Sequence, residues 1–211
     1  MSETILYGTQ GSPYVRSAQL ALEEKGAVYD FSAVPFGTWG QMPHVARHPF
    51  GRVPAFEHQG FALYETQAIM RYADAVFPGP SLQPTDPRQA GRMNQIIGIV
   101  DCYVFPNISV GISFQRLIAK RVGMTADEAK VEASLPKARV CLEALDQILD
   151  GNRYLAGDAL SLADLMLAPH YFWFALTAEG RDLLGPHEGL RRWWQAMETR
   201  ESIKKTEPKL G

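Results

Sequence analysis

The residues best suited to chemistry lie in two short stretches, residues 50–56 and 63–69. The first contains Val53-Pro54, and a proline, which cannot donate to a sheet ladder, fits best at the first residue of a strand. If the Val53-Pro54 bond is cis, the chain turns sharply and the backbone groups of Val53 face outward. An extended peptide can then pair with them as an added strand, so this stretch is interpreted as a surface that holds a small peptide by its backbone.

The second stretch predicts a place for an anion. The strand pattern of Phe61 and Leu63 stops at Glu65 and Thr66, and helical spacing begins at Ala68. Thr66 therefore lies near a helix start, where free N–H groups and the positive end of the dipole favour a carboxylate. The alternative for the two stretches is a trans proline that opens an ordinary strand and a threonine that caps an ordinary helix.

The elements that must position these stretches begin with a strand, a glycine-rich turn and a helix over residues 4–26. Ser12 is a natural N-cap, Pro13 takes the N1 position, where its missing N–H does no harm, and Gly26 stops the helix. A second strand over residues 28–34, a strand from Pro54, a tight turn at residues 58–60, a strand at Phe61 and the Thr66 helix follow.

With these motifs in this order the chain resembles the cytosolic-type glutathione transferase family over essentially its whole length. The resemblance implies an α/β plus all-α fold, with a thioredoxin-like N-terminal domain (βαβ-ββα) and an all-helical C-terminal domain. It also implies glutathione as co-substrate, no metal, and a bacterial member of the serine-type, phi-like kind.

The resemblance assigns roles in glutathione binding to four residues. In the family the proline of the Val-Pro pair is cis, the residue before it pairs with the cysteinyl backbone of glutathione, and an acidic-hydroxyl pair binds the γ-glutamyl end. Val53, Pro54, Glu65 and Thr66 match these positions, with Thr66 where serine is usual.

The glycyl end of glutathione has no such match. The phi class contacts the glycyl carboxylate with a His-Lys pair, and the corresponding residues 36–42 contain neither cation. Arg52 is the candidate in their place, with His44 or His48 as helpers. A solvated turn residue is the alternative role for Arg52.

Ser12 falls where the serine-type classes carry the hydroxyl that hydrogen-bonds the glutathione sulfur. A thiol with a pKa near 8.5 is only about 3 per cent ionised at pH 7, and the thiolate is the nucleophile. A helix N-terminus and a hydroxyl donor both favour the anion, and lowering the thiol pKa by about 2 units corresponds to roughly 2.7 kcal/mol. Tyr7, near the place where tyrosine-type classes carry their phenol, and Thr9 are the alternatives, and Ser12 as a helix cap alone is a third.

Composition narrows the class of protein. The 211 residues are 46% hydrophobic and 21% charged with a formal net charge of -2, which is enough material for two cores. The sequence has no basic run that would predict nucleic-acid binding and no apolar stretch of about 18 residues that would predict a membrane span. The N-terminal residues do not have the pattern of a signal peptide. Cys102 and Cys141 lack metal spacing and are expected to be buried free thiols, so a cytoplasmic location is expected.

A proline-rich and glycine-rich segment marks the domain boundary. We predict a thioredoxin-like domain over residues 1–79, a linker over 80–87 and an all-α domain over 88–211. Asp86 caps the first helix of that domain with Pro87 at N1. Capping-box patterns at residues 125–128 and 161–164 begin later helices, and Asp164 is expected to serve folding, not catalysis.

The second substrate is expected between the domains, where apolar side chains face the sulfur, and it is expected to be a small hydrophobic electrophile. Most aromatic residues at helical spacing are ordinary core, which is the alternative for each candidate. Phe50 aligns with the aromatic that some classes insert into the partner subunit, so a homodimer with Phe50 as its lock is expected. The candidates for contact with the electrophile are Phe36, Trp39, Tyr103, Phe105, Phe114 and Trp173.

The sequence therefore predicts a glutathione transferase that stabilises bound thiolate and conjugates it to a hydrophobic electrophile. One alternative is a non-catalytic protein that binds glutathione or a hydrophobic ligand, which the missing His-Lys pair favours. Another is a glutathione-dependent peroxidase or isomerase of the same fold.

Overall fold

The computed structural model describes residues 3–208, and these fall into two compact units. Residues 3–83 together with 200–208 form the first unit, and residues 84–199 form the second. The segment 200–208 thus belongs with the first unit, whereas the sequence boundaries place it in the helical domain. The outermost residues of the predicted domains, 1–2 and 209–211, lie outside the described residues.

The first unit is a four-stranded mixed sheet with two main helices, and it confirms the predicted thioredoxin-like fold. The sheet order is β2-β1-β3-β4, with β2 parallel to β1 and β3 antiparallel to both β1 and β4. The elements are β1 (Thr4–Gly8), α1 (Pro13–Glu24), β2 (Asp30–Ala33), a short 3₁₀ turn (His44–Ala46), β3 (Ala55–His58), β4 (Phe61–Tyr64) and α2 (Thr66–Val76).

The core of this unit lies between one face of the sheet and the helices α1 and α2. Leu6 and Phe56 from the sheet pack with Val15 and Ile69 from the helices, and all four are almost fully buried. Side chains alternate between the two faces of a strand, so the neighbours of Leu6 in β1, including Tyr7, lie on the opposite face.

The local signals in the sequence give these elements their ends. Ser12 has extended backbone as the N-cap of α1, and Gly26 follows the helix with φ 63°. A two-residue turn joins β3 to β4, and both of its residues, Gln59 and Gly60, have positive φ, as hairpin turns of this length favour. The third strand begins at Ala55, one residue after the predicted Pro54.

A short C-terminal helix, α8 (Glu201–Lys205), packs on α1 within the first unit. The Arg200 guanidinium donates two hydrogen bonds to the Glu24 carboxylate, at 2.8 and 2.6 Å, and Ser202 donates a third. Arg16, which is 2% exposed, donates to the Ile203 carbonyl at 3.0 Å. These contacts explain why the C-terminal segment departs from the helical domain that precedes it in the chain.

Replacing Arg200 by alanine is expected to destabilise the first unit by about 1.5–2 kcal/mol at pH 7, because it removes two hydrogen bonds to a largely buried carboxylate. Burial raises the pKa of Glu24, but hydrogen bonds from Arg200 and Ser202 and the Arg200 charge outweigh it and hold the pKa below its ordinary value. This stabilisation is present above the unfolded pKa of about 4.3 and is lost as the pH falls through the folded value.

Urea unfolding at pH 7 and at lower pH measures this effect, and the difference in stability between the wild type and Arg200→Ala should shrink as the pH falls through the folded pKa of Glu24. Lys204→Ala is the matched control because Lys204 forms an exposed ion pair with Glu201. Equal losses for the two variants at pH 7 would contradict the role given to Arg200.

A buried ion pair fixes the segment that leaves the first unit. Lys25 and Asp74 lie 3.0 Å apart, with side chains only 3% and 5% exposed. The Lys25 ammonium also donates to the carbonyls of Gly79 and Pro80, and Asp74 accepts from the Leu82 backbone N–H. The prolines of this connector have no backbone N–H to donate, so Lys25 and Asp74 bind the carbonyls and the N–H that the connector still presents.

The second unit is all helical, as predicted. Asp86 caps its first helix with two backbone N–H contacts, and Pro87 stands at N1. Beyond Ile99 the helix continues over residues 100–118 with the wider π pattern, and within it the Asn107 side chain donates to the Tyr103 carbonyl, three residues before Pro106. The helices are α3 (Pro87–Ile99), its continuation (Val100–Ile118), a 3₁₀ turn (Ala119–Val122), α4 (Glu128–Leu149), α5 (Leu162–Ala175), α6 (Ala178–Leu184) and α7 (Glu188–Glu198).

The two predicted capping boxes have different outcomes. Ser161 and Asp164 form the expected box at the start of α5. The box at residues 125–128 is wrong: Asp127 caps α4 by accepting from the Lys130 N–H at 3.0 Å.

Two further expectations, on an apolar stretch of membrane length and on the burial of the cysteines, need correction. The sequence predicts no membrane span, but the helical stretch Pro87–Val122 is long and apolar enough to cross a membrane by length and composition, and half of its most apolar 18-residue window is buried inside the protein. Cys141 is buried, and burial raises the pKa of its thiol, but Cys102 is exposed.

Candidate functional site

The turn between β1 and α1 places a serine at a helix N-terminus. A Cβ on Gly8 would lie 2.6 Å from the nearest methyl of Val15, so only glycine lets the strand end approach the first turn of the helix this closely. Ser12 Oγ accepts a long hydrogen bond of 3.4 Å from the Val15 N–H. The capping role uses only the oxygen, and no acceptor for the Ser12 hydroxyl hydrogen is present among residues 3–208.

Tyr7 is committed elsewhere. Its hydroxyl lies 3.5 Å from a carboxylate oxygen of Glu57, and the Arg47 guanidinium lies 4.3 Å from the centre of its ring. Because Tyr7 alternates with the core residue Leu6, it occupies the face of the sheet away from α1. This arrangement matches the structural role of a packed strand aromatic.

Thr9 has a hydroxyl that is already satisfied. It donates to the Val34 carbonyl at 2.6 Å and accepts from the Trp39 indole N–H at 2.7 Å. Thr9 therefore ties the loop that follows β2 to the turn that precedes α1. Of the three hydroxyls considered for the sulfur, that of Ser12 is the one with a donor to spare.

The segment before β3 carries the predicted peptide-binding backbone. The Val53–Pro54 bond is cis, as the resemblance implied. His44 is 4% exposed, and its Nε2 lies 2.7 Å from the Arg52 carbonyl, which can only accept, so this nitrogen carries the hydrogen. The Arg52 side chain is exposed and has no hydrogen bond or ion pair within residues 3–208.

Glu65 and Thr66 lie where β4 ends and α2 begins. Glu65 has φ 71°, and its side chain does not cap the helix that it precedes. Thr66 is the first residue of α2, and its hydroxyl lies 3.5 Å from the Tyr14 carbonyl in the first turn of α1. This contact brings the N-termini of α1 and α2 together, so two positive helix ends and the hydroxyls of Ser12 and Thr66 are neighbours in one unit.

His48, a candidate helper of Arg52, lies beside Glu65, a contact that the sequence does not predict. The residue is 2% exposed, its Nε2 lies 4.0 Å from Glu65 Oε1, and its ring packs against Tyr64 with the ring centres 4.9 Å apart. No local pattern signals this contact, because 17 positions separate His48 from Glu65.

The aromatic candidates divide between the two units. In the first unit Phe36 is 43% exposed and meets Trp39 edge to face with the ring centres 5.0 Å apart. In the second unit Tyr103 is 59% exposed and Trp173 is 6% exposed. Two further candidates of the second unit, Phe105 and Phe114, are half-buried.

Phe50 combines exposure with packing in its own loop. Its side chain is 69% exposed, although its ring makes edge-to-face contacts with His48 and Tyr64. Within residues 3–208 no group of three or more His, Cys, Asp or Glu side chains is arranged to hold a metal ion.

The chain is similar to known proteins along almost its whole length. Residues 6–81 match the family model of the glutathione S-transferase N-terminal domain, and residues 128–196 match that of the C-terminal domain. Glutathione S-transferase 1 of Zea mays is 30% identical over 207 residues, which cover 97% of this chain and 96% of that protein. The chain belongs to the glutathione S-transferase family.

Solved structures agree with this assignment. Glutathione transferase F7 from Populus trichocarpa has a TM-score of 0.87 at 26% identity, with 96% of this chain and 97% of that one covered. Glutathione S-transferase I from maize in complex with an atrazine glutathione conjugate has a TM-score of 0.84 at 30% identity, with 96% and 95% covered. These three relatives are plant proteins, so they do not support the predicted bacterial origin.

Proposed function

We propose that this glutathione transferase stabilises the thiolate of bound glutathione through the Ser12 hydroxyl and the N-terminus of α1, and transfers it to a hydrophobic electrophile. The observation that carries the proposal is the unused hydroxyl hydrogen of Ser12 at a helix N-terminus that adjoins the N-terminus of α2. The free Ser12 hydrogen and the plant relatives also support the assignment to a serine-type, phi-like class.

The chemistry needs no base from the protein. The thiol proton passes to water or to a carboxylate of glutathione itself, because a serine hydroxyl cannot accept it at neutral pH. The Ser12 O–H then donates to the sulfur anion, and the helix dipole favours the same charge. The sulfur lone pair forms a bond to an electrophilic carbon. In a substitution the leaving group departs with its electron pair, and in an addition the neighbouring carbon takes a proton.

The remaining contacts of glutathione follow the peptide from end to end. The backbone of Val53 pairs with the cysteinyl residue at the cis Val53–Pro54 bond, and Glu65 with Thr66 binds the γ-glutamyl end. Arg52 binds the glycyl carboxylate, which is supported by its exposed guanidinium and by the hold of His44 on its carbonyl. A carboxylate with a guanidinium forms a strong, charge-assisted pair.

The electrophile is hydrophobic in this proposal. Exposed aromatic surface on Phe36 and Tyr103 supports contact with an apolar molecule, and Trp39, Phe105, Phe114 and Trp173 stay predictions for that role. The maize relative was solved with an atrazine glutathione conjugate, which is an aromatic group carried on sulfur. A cytoplasmic location is part of the proposal and is supported by family membership.

Turnover of a generic aryl halide with glutathione tests the proposal against its main alternative. Saturable conjugation with both substrates supports the transferase. Tight binding of glutathione without conjugation of any aryl halide, epoxide or enone would favour the non-catalytic binding protein, which the absent His-Lys pair makes the second candidate. Glutathione-dependent reduction of a hydroperoxide, assayed in parallel, distinguishes peroxidase activity.

A homodimer locked by Phe50 is the quaternary part of the proposal. We expect Phe50→Ala to shift the protein toward monomer on gel filtration at micromolar concentration. Phe50 is 69% exposed in the single chain, so a partner subunit would bury most of its ring, and alanine removes that apolar area from the interface. Phe61→Ala is the control, since Phe61 is an exposed phenylalanine of the same unit, 50% exposed, that lies on β4 and not in the loop proposed as the lock. A Phe50→Ala protein that stays dimeric with unchanged stability would contradict the lock.

A further inference from the structure

His48 is a buried titratable group with no role in the thiol chemistry. Its ring forms a three-membered cluster with the rings of Tyr64 and Phe50, and its Nε2 is 4.0 Å from Glu65 Oε1, within ion-pair distance but beyond hydrogen-bond distance. Its Nδ1 is buried and has no hydrogen-bond partner among the described residues. Neutral histidine carries one hydrogen, and Nε2, which faces the Glu65 carboxylate, is the better place for it than Nδ1, which has no acceptor among the described residues.

Glu65 has a carboxylate that its own helix does not use. The side chain is 63% exposed and makes no capping hydrogen bond, and the backbone holds φ at 71°, where a residue other than glycine is uncommon. The direction of the carboxylate is therefore not set by α2. Within residues 3–208, the His48 imidazole is the group that lies within ion-pair distance of this carboxylate.

We propose that His48 is a positioning residue for Glu65 and makes the binding of the γ-glutamyl ammonium sensitive to pH. When His48 is neutral, its Nε2–H faces the Glu65 carboxylate across 4.0 Å and attracts it electrostatically without cancelling its charge. When His48 is protonated, it becomes the counter-ion of Glu65 and competes with the ammonium of the ligand. The inference rests on the proposed function, in which Glu65 binds the γ-glutamyl end.

The charges around His48 set the direction of the effect. Burial lowers the pKa of His48 from its ordinary value, the Glu65 carboxylate raises it, and the neighbouring His44 and Arg52 lower it further. The net shift is downward, so His48 is neutral at pH 7 and gains its proton only below the ordinary range of a histidine. Affinity for the γ-glutamyl end should therefore fall as the pH falls.

The test uses S-methylglutathione, because its sulfur carries no ionisable proton and thiolate formation cannot contribute to the pH profile. Calorimetric Kd values between about pH 5 and 7.5 should rise at least threefold toward the acid end in the wild type. His48→Gln should be flat within about twofold over the same range, because glutamine offers an N–H donor near the position of Nε2 but does not titrate.

His48→Ala removes the donor as well as the charge. We expect it to weaken binding by about three- to tenfold at pH 7.5, with the KM for glutathione raised and kcat changed by less than about twofold. His58→Gln is the matched control: His58 belongs to the same unit, hydrogen-bonds Tyr72 at 2.9 Å and packs against Phe77. Its pH profile should follow that of the wild type.

Two outcomes would overturn the inference, and they differ in what else they remove. A His48→Gln protein that keeps the wild-type pH profile refutes the role of His48 while glutathione binding and transfer stand. A wild type that binds S-methylglutathione at no pH removes the proposed function and this inference together. Because His48→Gln keeps a polar group of similar size, it tests the proposal even if His48→Ala fails to fold.

Discussion

Replacing Ser12 by alanine is expected to return the thiol pKa of bound glutathione toward its solution value and to lower kcat/KM for conjugation about a hundredfold. The reason is that the proposed mechanism makes this hydroxyl the donor to the sulfur anion, and about 2 units of pKa correspond to roughly 2.7 kcal/mol. The KM for glutathione should change little, since the proposed contacts of Val53, Arg52 and Glu65 with the peptide remain. Thiolate absorbance of the complex, titrated between about pH 5 and 9, measures the effect directly.

Ser12 also caps α1, so a loss of activity could arise from a frayed helix. Alanine in place of an N-cap serine costs about 1 kcal/mol, whereas glycine costs only a few tenths. Ser12→Gly therefore keeps the helix start and removes only the hydroxyl, and it should lose as much activity as Ser12→Ala. If either variant retains the low thiol pKa, Ser12 is not the activating group.

Tyr7→Phe provides the second control for the sulfur contact. Its hydroxyl lies near Glu57 and its ring lies under Arg47, on the sheet face away from α1. The variant should therefore ionise bound glutathione as the wild type does. A raised thiol pKa in Tyr7→Phe would instead assign the activation to the phenol.

The helix starts could be predicted from the sequence because their causes are local. Ser12 with Pro13, Asp86 with Pro87, and Ser161 with its capping box each act within three positions of the helix that they begin. A side-chain acceptor close in sequence to the free N–H groups needs no help from the rest of the fold.

The start of α4 shows where that reasoning stops. Residues 125–128 offer two capping side chains, and the capping-box pattern favours Thr125, yet Asp127 is the cap. Gln115 accepts a hydrogen bond of 3.0 Å from the Asp127 N–H, and it takes the place of the N3 glutamate that would bind this group in a capping box, since the N3 residue here is Lys130. A residue twelve positions away thus decides between two caps that are locally almost equal.

The candidate site divides along the same line. Val53, Pro54 and Thr66 could be proposed from strand and helix signals, and the family resemblance supplied their roles. The links from Thr9 to Trp39 and from His48 to Glu65 join loops through side chains and depend on the packed sheet. Sequence periodicity reports which face a residue occupies, but it does not report which loop residue comes to lie beside it.

Asp164→Asn is expected to destabilise the second unit by about 3–5 kcal/mol, although it is nearly isosteric. The carboxylate is fully buried and accepts four hydrogen bonds of 2.8 Å: Oδ1 from the Leu155 N–H and the Trp193 indole, Oδ2 from the Ser161 N–H and hydroxyl. An asparagine must turn its NH₂ group toward one of these donor pairs in either orientation, which leaves buried donors without an acceptor.

Urea unfolding followed by tryptophan fluorescence measures this loss, since Trp193 reports on the site itself. Asp86→Asn is the control, because Asp86 is an exposed N-cap and asparagine caps about as well, so its loss should stay below about 0.5 kcal/mol.

The stability of Asp164→Asn relative to the wild type also tests whether the Asp164 carboxyl is charged. Burial raises the pKa of its carboxyl, and the four hydrogen bonds act in the opposite direction. A protonated carboxyl would add a hydrogen to an oxygen that already faces two donors, much as the amide does, so a neutral Asp164 and an asparagine should be tolerated alike. A loss below about 1 kcal/mol for Asp164→Asn would therefore mean that the native carboxyl is neutral, whereas the expected large loss means that four donors hold it ionised at the centre of the helical domain.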